Sequence, residues 1–330
     1  MDKVLKIGII GCGAIGKDHC RRIIETVPGA TVVAVSDYVA AAADETAAKY
    51  GIKSYGNDCD GMIKDPEVEA VVITSIDPTH HDYVMKTLAE EKWCFCEKPL
   101  SQNAKDCEEI IRREQEIGKR LVQVGFMRHY DRGYAEMKRI IASGELGKPL
   151  IIKACHRNVS QGPGFKTENG VTNVAIHELD ICRWLLGENL NEVAVRFPRA
   201  TCFAEGTCQD PQLVLMQSDS GVLIDVEVSG NSYYGYEILC ELVCEKGTIR
   251  LPVAAEPIVR SYLQCGQAIP EDWTNRFVVA YQEELQHWVD YLQGKTDVPG
   301  PGAEDGYEAC KISDALIKAQ TTGQWEKVEA

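Results

Sequence analysis

The sequence predicts an α/β protein in which an N-terminal Rossmann domain, with a doubly wound parallel sheet, precedes a C-terminal α+β domain with a large, open, mainly antiparallel sheet. In the first third of the chain, short β-branched apolar runs alternate with helical segments, which is the order typical of a parallel sheet. A glycine-rich turn joins the first run to the first helix. Beyond residue 125, several strands follow one another across tight turns such as Ser220-Gly221 and Lys246-Gly247, which indicates antiparallel pairing.

The length of 330 residues accommodates about two domains of roughly 100–200 residues each. We predict a first domain, with the parallel sheet and the glycine-rich turn, over residues 1–125 and a second domain, with the mainly antiparallel sheet, over residues 126–330. The boundary lies where the alternation of strands and helices stops.

The composition excludes several classes of partner. Lys and Arg number 35 and Asp and Glu number 50, so the formal net charge is −15. Phosphate backbones and anionic lipids repel such a chain, and we therefore expect no nucleic-acid or membrane partner. No apolar run approaches the roughly 20 residues of a membrane span, and the first residues lack the pattern of a signal peptide. The 14 cysteines show no paired CxxC spacing. We therefore expect a cytoplasmic protein with reduced, mostly buried thiols and no structural metal.

The apolar periodicity sets the expected bounds of strands and helices. In the first domain it predicts strands over 4–10, 31–36, 70–73, 93–96 and 121–124, a helix ending near 27, and helices over 40–50, 79–91 and 104–117. In the second domain it predicts helices over 134–143, 174–186, 276–292 and 307–320, and strands over 149–157, 192–196, 213–217, 222–228, 236–243 and 248–251.

The turn after the first strand carries a dinucleotide-binding pattern. Gly11 permits a tight turn, Gly13 lets backbone N–H groups approach a pyrophosphate, and Gly16 allows close packing of the helix on the strand. The partial positive charge of the helix N-terminus favours the anion. Asp37 ends the next strand, where a carboxylate binds the adenosine ribose hydroxyls and repels a 2′-phosphate, and Tyr38 offers no positive charge. The pattern therefore favours NAD over NADP.

A second motif, Glu97-Lys98-Pro99, follows the strand predicted over 93–96. The carboxyl ends of strands are where α/β sheets bind ligands. Proline fixes the chain after Lys98 and removes a backbone donor. The alternative is a solvated pair at a strand end, and the position of the motif favours a functional interpretation.

A third motif lies on the helix predicted over 174–186. Asn173 and His177 are one helical turn apart and share a face, and Asp180 continues that face. A single histidine on a helix is commonly structural, so its functional weight comes from these polar neighbours.

Together, the glycine motif, Glu97-Lys98-Pro99 and the segment from Asn173 to Asp180 resemble the Gfo/Idh/MocA oxidoreductase family. Further motifs resemble its inositol 2-dehydrogenase branch, and these lie over residues 125–134, 143–149, 156–158, 234–237, 273–281 and 302–307. The resemblance covers essentially the whole chain. The glycine motif is generic and Glu-Lys-Pro is typical of the family, whereas the middle and C-terminal motifs point to polyol substrates.

The resemblance implies an NAD-dependent dehydrogenase that takes a hydride from a ring carbon bearing a hydroxyl group. It implies His177 as the base, Lys98 as the group that stabilises negative charge on oxygen, and Asn173 as the neighbour of the base. The implied cofactor-binding residues are Gly11, Gly13, Ala14, Ile15, Gly16, Asp37, Ser75, Glu97 and Lys98. The implied substrate-binding residues are Arg128, His156, Asn158, Asn173, His177 and Tyr236. Family members pair their open sheets in tetramers, so a homotetramer is expected.

Asn173 departs from the family, which has Asp at this position. An aspartate would stabilise the protonated imidazole, whereas asparagine hydrogen-bonds without charge. Two alternatives to an inositol dehydrogenase therefore stay open: a dehydrogenase of a related sugar or glycoside ring, for example at C3, and a non-catalytic NAD(H)-binding subunit. Among the substrate-binding residues, Arg128 could instead serve a salt bridge and Tyr236 the packing of the sheet.

Overall fold

The computed structural model describes residues 4–252 and 257–329. Its contacts divide the chain into two compact units. The first contains the residues up to Phe126 together with Tyr281–Cys310, and the second contains Met127–Ala280 and the residues from Lys311 onward. Compared with the sequence-based division, the contacts place Tyr281–Cys310 with the nucleotide-binding half.

The first unit is built on a six-stranded parallel sheet with the strand order β3-β2-β1-β4-β5-β6. The strands are β1 (Leu5–Ile10), β2 (Ala30–Ser36), β3 (Lys53–Ser54), β4 (Ala70–Ile73), β5 (Trp93–Cys96) and β6 (Val122–Val124). The helices are α1 (Ala14–Thr26), α2 (Ala40–Tyr50), α3 (Cys59–Lys64), α4 (His80–Ala89) and α5 (Ala104–Ile117). The strand order reverses between β1 and β4, and such switch points are where open α/β sheets bind nucleotides. The predicted Rossmann sheet is confirmed.

The core of this unit explains why a segment from the end of the chain belongs to it. Strand β4 and the last four residues of β1 are buried, as apolar runs in parallel sheets should be. Leu285, Trp288 and Val289 join the same apolar cluster, and the ring of Trp288 packs against Phe95 with centroids 5.5 Å apart.

The second unit is built on a seven-stranded sheet with the order β12-β11-β7-β10-β9-β8-β15. Only β7 and β10 pair in parallel, so the predicted mainly antiparallel sheet is confirmed. The strands are β7 (Pro149–Arg157), β8 (Leu190–Arg196), β9 (Gln212–Ser218), β10 (Leu223–Ser229), β11 (Glu237–Cys244), β12 (Gly247–Arg250) and β15 (Glu326–Lys327). Helices α6 (Arg132–Ser143) and α7 (Ile176–Leu186) belong to this unit.

Side chains alternate along the strands of this sheet. In β10, Ile224 and Val226 are buried, whereas Asp225 and Glu227 lie on the other face and are partly exposed. The second face is therefore mixed in polarity.

Three predicted helices of the second half of the chain differ from the structure at their ends. The helix predicted over 174–186 is preceded by a π-helical turn, Gly170–Val174, and α7 begins only at Ile176. The helix predicted over 276–292 is α9 (Val278–Leu292). A short unpredicted helix, α8 (Trp273–Arg276), precedes it, and Phe277 separates the two because it leaves the helical conformation at φ −114° and buries its ring. The last helix, α10 (Ala303–Thr322), is longer than predicted.

A hairpin of β13 (Ile258–Ser261) and β14 (Gln264–Gln267) was not predicted. All eight residues of its two strands are exposed, so neither strand shows the alternation that reveals a half-buried sheet.

The cysteines follow the expected pattern of small apolar residues. All 14 are free thiols, and all except Cys202 and Cys265 are buried. In the described part of the chain, none of the helices has the length and apolar character needed to cross a membrane.

Candidate active site

The glycine-rich turn between β1 and α1 has the backbone geometry that the sequence predicts. Gly11 has φ +101°, and a Cβ atom there would lie 2.6 Å from the backbone nitrogen of Ser75. A Cβ atom at Gly16 would lie 1.9 Å from the carbonyl oxygen of Gly11. Both positions exclude a side chain, so α1 packs directly on the turn.

The N-terminus of α1 presents a site suited to an anion. A Cβ atom at Gly13 would meet nothing within 4 Å, no side chain caps the helix, and its first turn holds no acidic residue. Burial raises the pKa of the Cys12 thiol to about 11, so no thiolate stands beside this site at neutral pH. Backbone N–H groups and the helix dipole are therefore available to a pyrophosphate.

Asp37 lies at the carboxyl end of β2, where a ribose-binding carboxylate is expected. Its Oδ2 accepts a hydrogen bond of 2.6 Å from the backbone N–H of Cys12, and its Oδ1 accepts one of 2.7 Å from that of Val39. The carboxylate is thereby fixed beside the glycine turn, and each oxygen keeps a lone pair for a ribose hydroxyl. Tyr38 is exposed and places no positive charge there.

Ser75 and Glu97 follow the neighbouring strands β4 and β5. The Ser75 hydroxyl lies 2.7 Å from that of Thr79. Glu97 is buried, with Oε1 at 2.7 Å from Nε2 of His19 and Oε2 accepting a hydrogen bond from the backbone N–H of Lys98. Contacts of Ser75, Glu97 and Lys98 with NAD stay predictions.

In the second unit, Arg128, His156 and Glu178 form a buried polar cluster. The Arg128 guanidinium is fully buried and forms an ion pair with Oε1 of Glu178. Nδ1 of His156 lies 3.0 Å from Oε2 of Glu178 and 3.2 Å from a terminal nitrogen of Arg128. Arg128 thus forms a salt bridge in this structure, which is one of the two roles considered for it. Substrate binding by Arg128 stays a prediction.

His177 and Tyr236 border this cluster. The ring of His156 lies 6.1 Å from that of His177 and meets the ring of Tyr236 edge-on at 5.8 Å, measured between centroids. Tyr236, at the start of β11, is buried, and burial raises the pKa of its hydroxyl above the usual value, so it stays a neutral donor and acceptor. The structure therefore brings four predicted substrate residues together: Arg128, His156, His177 and Tyr236.

Electrostatics keep Glu178 ionised. Burial alone would raise the pKa of its carboxyl, but the Arg128 guanidinium and His156 outweigh burial and hold the pKa below its usual range. A carboxylate only accepts hydrogen bonds, so the 3.0 Å contact requires a proton on Nδ1 of His156.

The two remaining predicted substrate-binding residues, Asn158 and Asn173, lie next to β7 and α7. Asn158 directly follows β7, and its backbone N–H donates to the carbonyl of Ser229. Asn173 lies in the π-helical turn just before α7 and is partly exposed.

Glu178 and the pair of His129 with Asp180 were missing from the predicted site residues. Nε2 of His129 lies 2.8 Å from Oδ2 of Asp180, and its ring stacks on Trp184 at 4.6 Å. The available signal was the group of three polar residues at the start of a largely apolar helix, His177, Glu178 and Asp180.

The strand order, the glycine turn and the carboxylate after β2 define a dinucleotide-binding fold. Residues 5–126 match the profile described as "Oxidoreductase family, NAD-binding Rossmann fold", and residues 134–250 match the GFO/IDH/MocA C-terminal domain. The chain belongs to the GFO/IDH/MocA family and is an NAD-dependent oxidoreductase.

Named relatives are similar over nearly their whole length. An inositol 2-dehydrogenase of Ralstonia nicotianae is 45% identical over 327 residues, which is 98% of this chain and 96% of that protein. One of Klebsiella pneumoniae is 45% identical over 322 residues, or 97% and 95% of the two chains. The crystal structure of myo-inositol dehydrogenase from Lactobacillus casei in complex with NAD(H) and myo-inositol has a TM-score of 0.95 and 32% identity, covering 99% of this chain and 97% of that one.

We expect Asp37 to set the preference for NAD over NADP. Replacing Asp37 by alanine should lower kcat/KM for NAD about 10- to 100-fold, because hydrogen bonds to a charged group contribute about 1.5–3 kcal/mol. Asp37→Asn keeps an acceptor and removes the charge, so it should improve the use of NADP relative to NAD. Steady-state kinetics with both cofactors test this, and equal efficiency of the unmodified protein with NAD and NADP would contradict it.

Proposed function

We propose that this chain is an NAD-dependent inositol dehydrogenase that oxidises a secondary ring hydroxyl to a ketone. The observation that carries the proposal is the identity of 45% with inositol 2-dehydrogenases over 98% of the chain. The buried polar cluster of the second unit supports it, because a polyol needs several hydrogen-bond donors and acceptors at fixed positions.

We assign the proton transfer to His177. Oxidation of a secondary alcohol removes the hydroxyl proton as carbonyl character develops, and a neutral imidazole is suited to accept that proton near neutral pH. Bound NAD supplies the hydride acceptor. The uncapped N-terminus of α1, the open space at Gly13 and the carboxylate of Asp37 suit this cofactor.

We assign the stabilisation of the reacting oxygen to Lys98. Its ammonium group would hydrogen-bond the hydroxyl oxygen and stabilise the negative charge that develops on it. Its place after β5, at the carboxyl end of the parallel sheet, supports this role.

We assign the other ring hydroxyls to Arg128, His156, Asn158 and Tyr236. The contact of Nδ1 with Glu178 fixes the orientation of the His156 ring. The Tyr236 phenol both donates and accepts. Discrimination among inositol isomers would follow, because a buried polar group that loses its partner costs about 1–3 kcal/mol.

The direct test is the formation of NADH with a panel of inositols, pyranoses and glycosides. The proposal predicts the highest kcat/KM with an inositol. A higher kcat/KM with a sugar or glycoside would support the second candidate, a dehydrogenase of a sugar or glycoside ring. The asparagine at position 173, where the family has aspartate, favours this candidate. Binding of NAD without turnover of any substrate would favour a non-catalytic subunit.

We expect Asn173→Asp to raise the pKa of His177, because an added carboxylate one helical turn away stabilises the imidazolium. The acidic limb of the pH profile for alcohol oxidation should then shift to higher pH, since the neutral base forms only at higher pH. If Asn173 instead serves a different substrate, the variant should change the ranking of inositols and sugars more than the pH limb. An unchanged profile together with an unchanged ranking would contradict both interpretations.

We also propose that the open face of the sheet in the second unit forms a homotetramer. Partly exposed apolar residues on this face, among them Leu213, Leu215 and Leu239, alternate with charged ones. Light scattering at micromolar concentration should give four chains per particle. Leu239→Arg should lower this mass, whereas Val298→Arg, at an exposed residue of the first unit, should not. A monomer for the unmodified protein would contradict the proposal.

A further inference from the structure

The Glu97 side chain points into the protein although it belongs to a motif at the ligand-binding edge of the sheet. Its exposed fraction is 6%, and its Oε1 lies 2.7 Å from Nε2 of His19 on α1. Glu97 is therefore the partner of a buried histidine on the first helix of the unit.

His19 has one polar partner, Glu97, in the described part of the structure. Its ring is fully buried and meets Phe95 and Tyr281 edge-on, at centroid distances of 5.8 and 5.7 Å. Its Nδ1 has no hydrogen-bond partner among the described residues. A carboxylate only accepts hydrogen bonds, so Nε2 of His19 carries the proton in this contact. His19 thus acts as a single donor to Glu97.

The other oxygen of Glu97 reaches the catalytic segment. Oε2 accepts a hydrogen bond of 3.1 Å from the backbone N–H of Lys98. Gly125 closes the opposite side, because a Cβ atom there would lie 3.1 Å from Cδ and Oε2 of Glu97. The carboxylate is held between α1 and Gly125 and in turn holds the main chain at Lys98.

A second buried histidine holds the chain after Lys98. Nδ1 of His80 lies 2.6 Å from the carbonyl oxygen of Pro99, and its Nε2 lies 3.0 Å from that of Ser75. Lys98 therefore lies between Glu97, which contacts His19, and Pro99, which contacts His80. The proposed chemistry uses the side chain of Lys98 itself.

We propose that His19 is a positioning residue for Lys98, acting through the Glu97 carboxylate. The proposal rests on the role of Lys98 in the proposed function. Phe95 and Tyr281 surround the His19 ring, and these contacts need only an aromatic ring. The contribution specific to histidine is the N–H that it donates to Glu97.

Three variants test this proposal. His19→Phe keeps the ring and removes the donor, and His19→Gln places an amide donor near the position of Nε2. Cys20→Ala is the matched control, since Cys20 is the adjacent buried residue of α1 in the apolar core and is not a partner of Glu97. The readouts are kcat and KM for NAD, together with hydrogen–deuterium exchange of the Lys98 amide, which needs no substrate.

We expect His19→Phe to lower kcat about 10- to 100-fold with little change in KM for NAD, because small displacements of a catalytic group have effects of this size. Exchange at the Lys98 amide should accelerate. His19→Gln should recover most of both properties, and Cys20→Ala should change neither. If His19→Phe does not fold, Gly125→Ala, whose methyl group presses on Glu97 from the other side, should give the same pattern.

The proposal would be overturned if the Lys98 amide exchanged at the wild-type rate in both His19→Phe and Gly125→Ala. It would also be overturned if His19→Phe and Cys20→Ala had equal effects on kcat and exchange, or if His19→Gln recovered neither activity nor exchange. The exchange measurement also separates this inference from the proposed function. A wild-type protein that oxidises no inositol would refute the function, while the exchange of the Lys98 amide in the variants would still decide the role of His19.

Discussion

Replacing His177 by alanine is expected to lower kcat for inositol oxidation by about 10²- to 10⁴-fold, the range for a positioned acid–base group. The reason is that no other group would then take the hydroxyl proton as the hydride leaves. Lys98→Ala should be comparably severe, because the charge that develops on oxygen would lose its stabilising cation. The initial rate of NADH formation measures both effects.

Binding of NAD should survive in both variants, because the glycine turn and Asp37 are unchanged. Titration of NADH fluorescence with each variant measures this binding. Lys64→Ala, which removes an exposed lysine from the same unit as Lys98, is the matched control. Variants of His177 and Lys98 with a kcat within tenfold of the wild-type value would contradict the assigned roles.

Replacing Glu178 by alanine is expected to destabilise the fold by about 3–5 kcal/mol, because it leaves the Arg128 guanidinium buried without its counter-charge. Glu178→Gln keeps the shape and loses the charge, so it should also be destabilising. Chemical denaturation measures the free energy of unfolding.

The matched control is Glu136→Ala, which breaks an exposed pair of glutamate with arginine on α6. Such pairs contribute at most about 1 kcal/mol. Because the pKa of Glu178 is lowered in the folded state, its contribution to stability is present above the pKa of the unfolded carboxyl and is lost as the pH falls through the folded value. Equal destabilisation by the Glu178 and Glu136 variants would contradict this account of the cluster.

The sequence is most informative where a backbone requirement is local. Gly11 and Gly16 were predicted from their spacing after a strand, and the structure shows that neither position has room for a Cβ atom. The strands Ala70–Ile73 and Trp93–Cys96 begin and end at the predicted residues, because a strand buried on both faces is a continuous apolar run bounded by polar residues.

Long-range pairs of polar residues could not be predicted in the same way. The partners of Glu97 and Glu178 lie 78 and 50 residues away along the chain, at His19 and Arg128. No periodicity records such distances. The motif suggested that Glu97 serves the cofactor, whereas the structure shows its carboxylate bound to His19 and to the backbone of Lys98, and any contact with NAD would add to these two.

The break at Phe277 and the π-helical turn at Gly170–Val174 were missed for a different reason. Both lie at the start of a predicted helix, and a pattern of buried residues does not show where the backbone enters the regular α-helix. The change places Asn173 outside α7 although it lies four residues before His177.

The most direct test of the proposed function follows the hydride itself. The protein would be incubated with NAD and an inositol that carries deuterium on all ring carbons, and the NADH and the organic product would be examined by mass spectrometry. The account predicts one deuterium in the NADH, together with an inosose that has lost the same atom, and it predicts no such transfer with the His177→Ala variant over the same time. Unlabelled inositol isomers that yield no NADH, under conditions where NAD binds and a sugar or glycoside is oxidised, would contradict it.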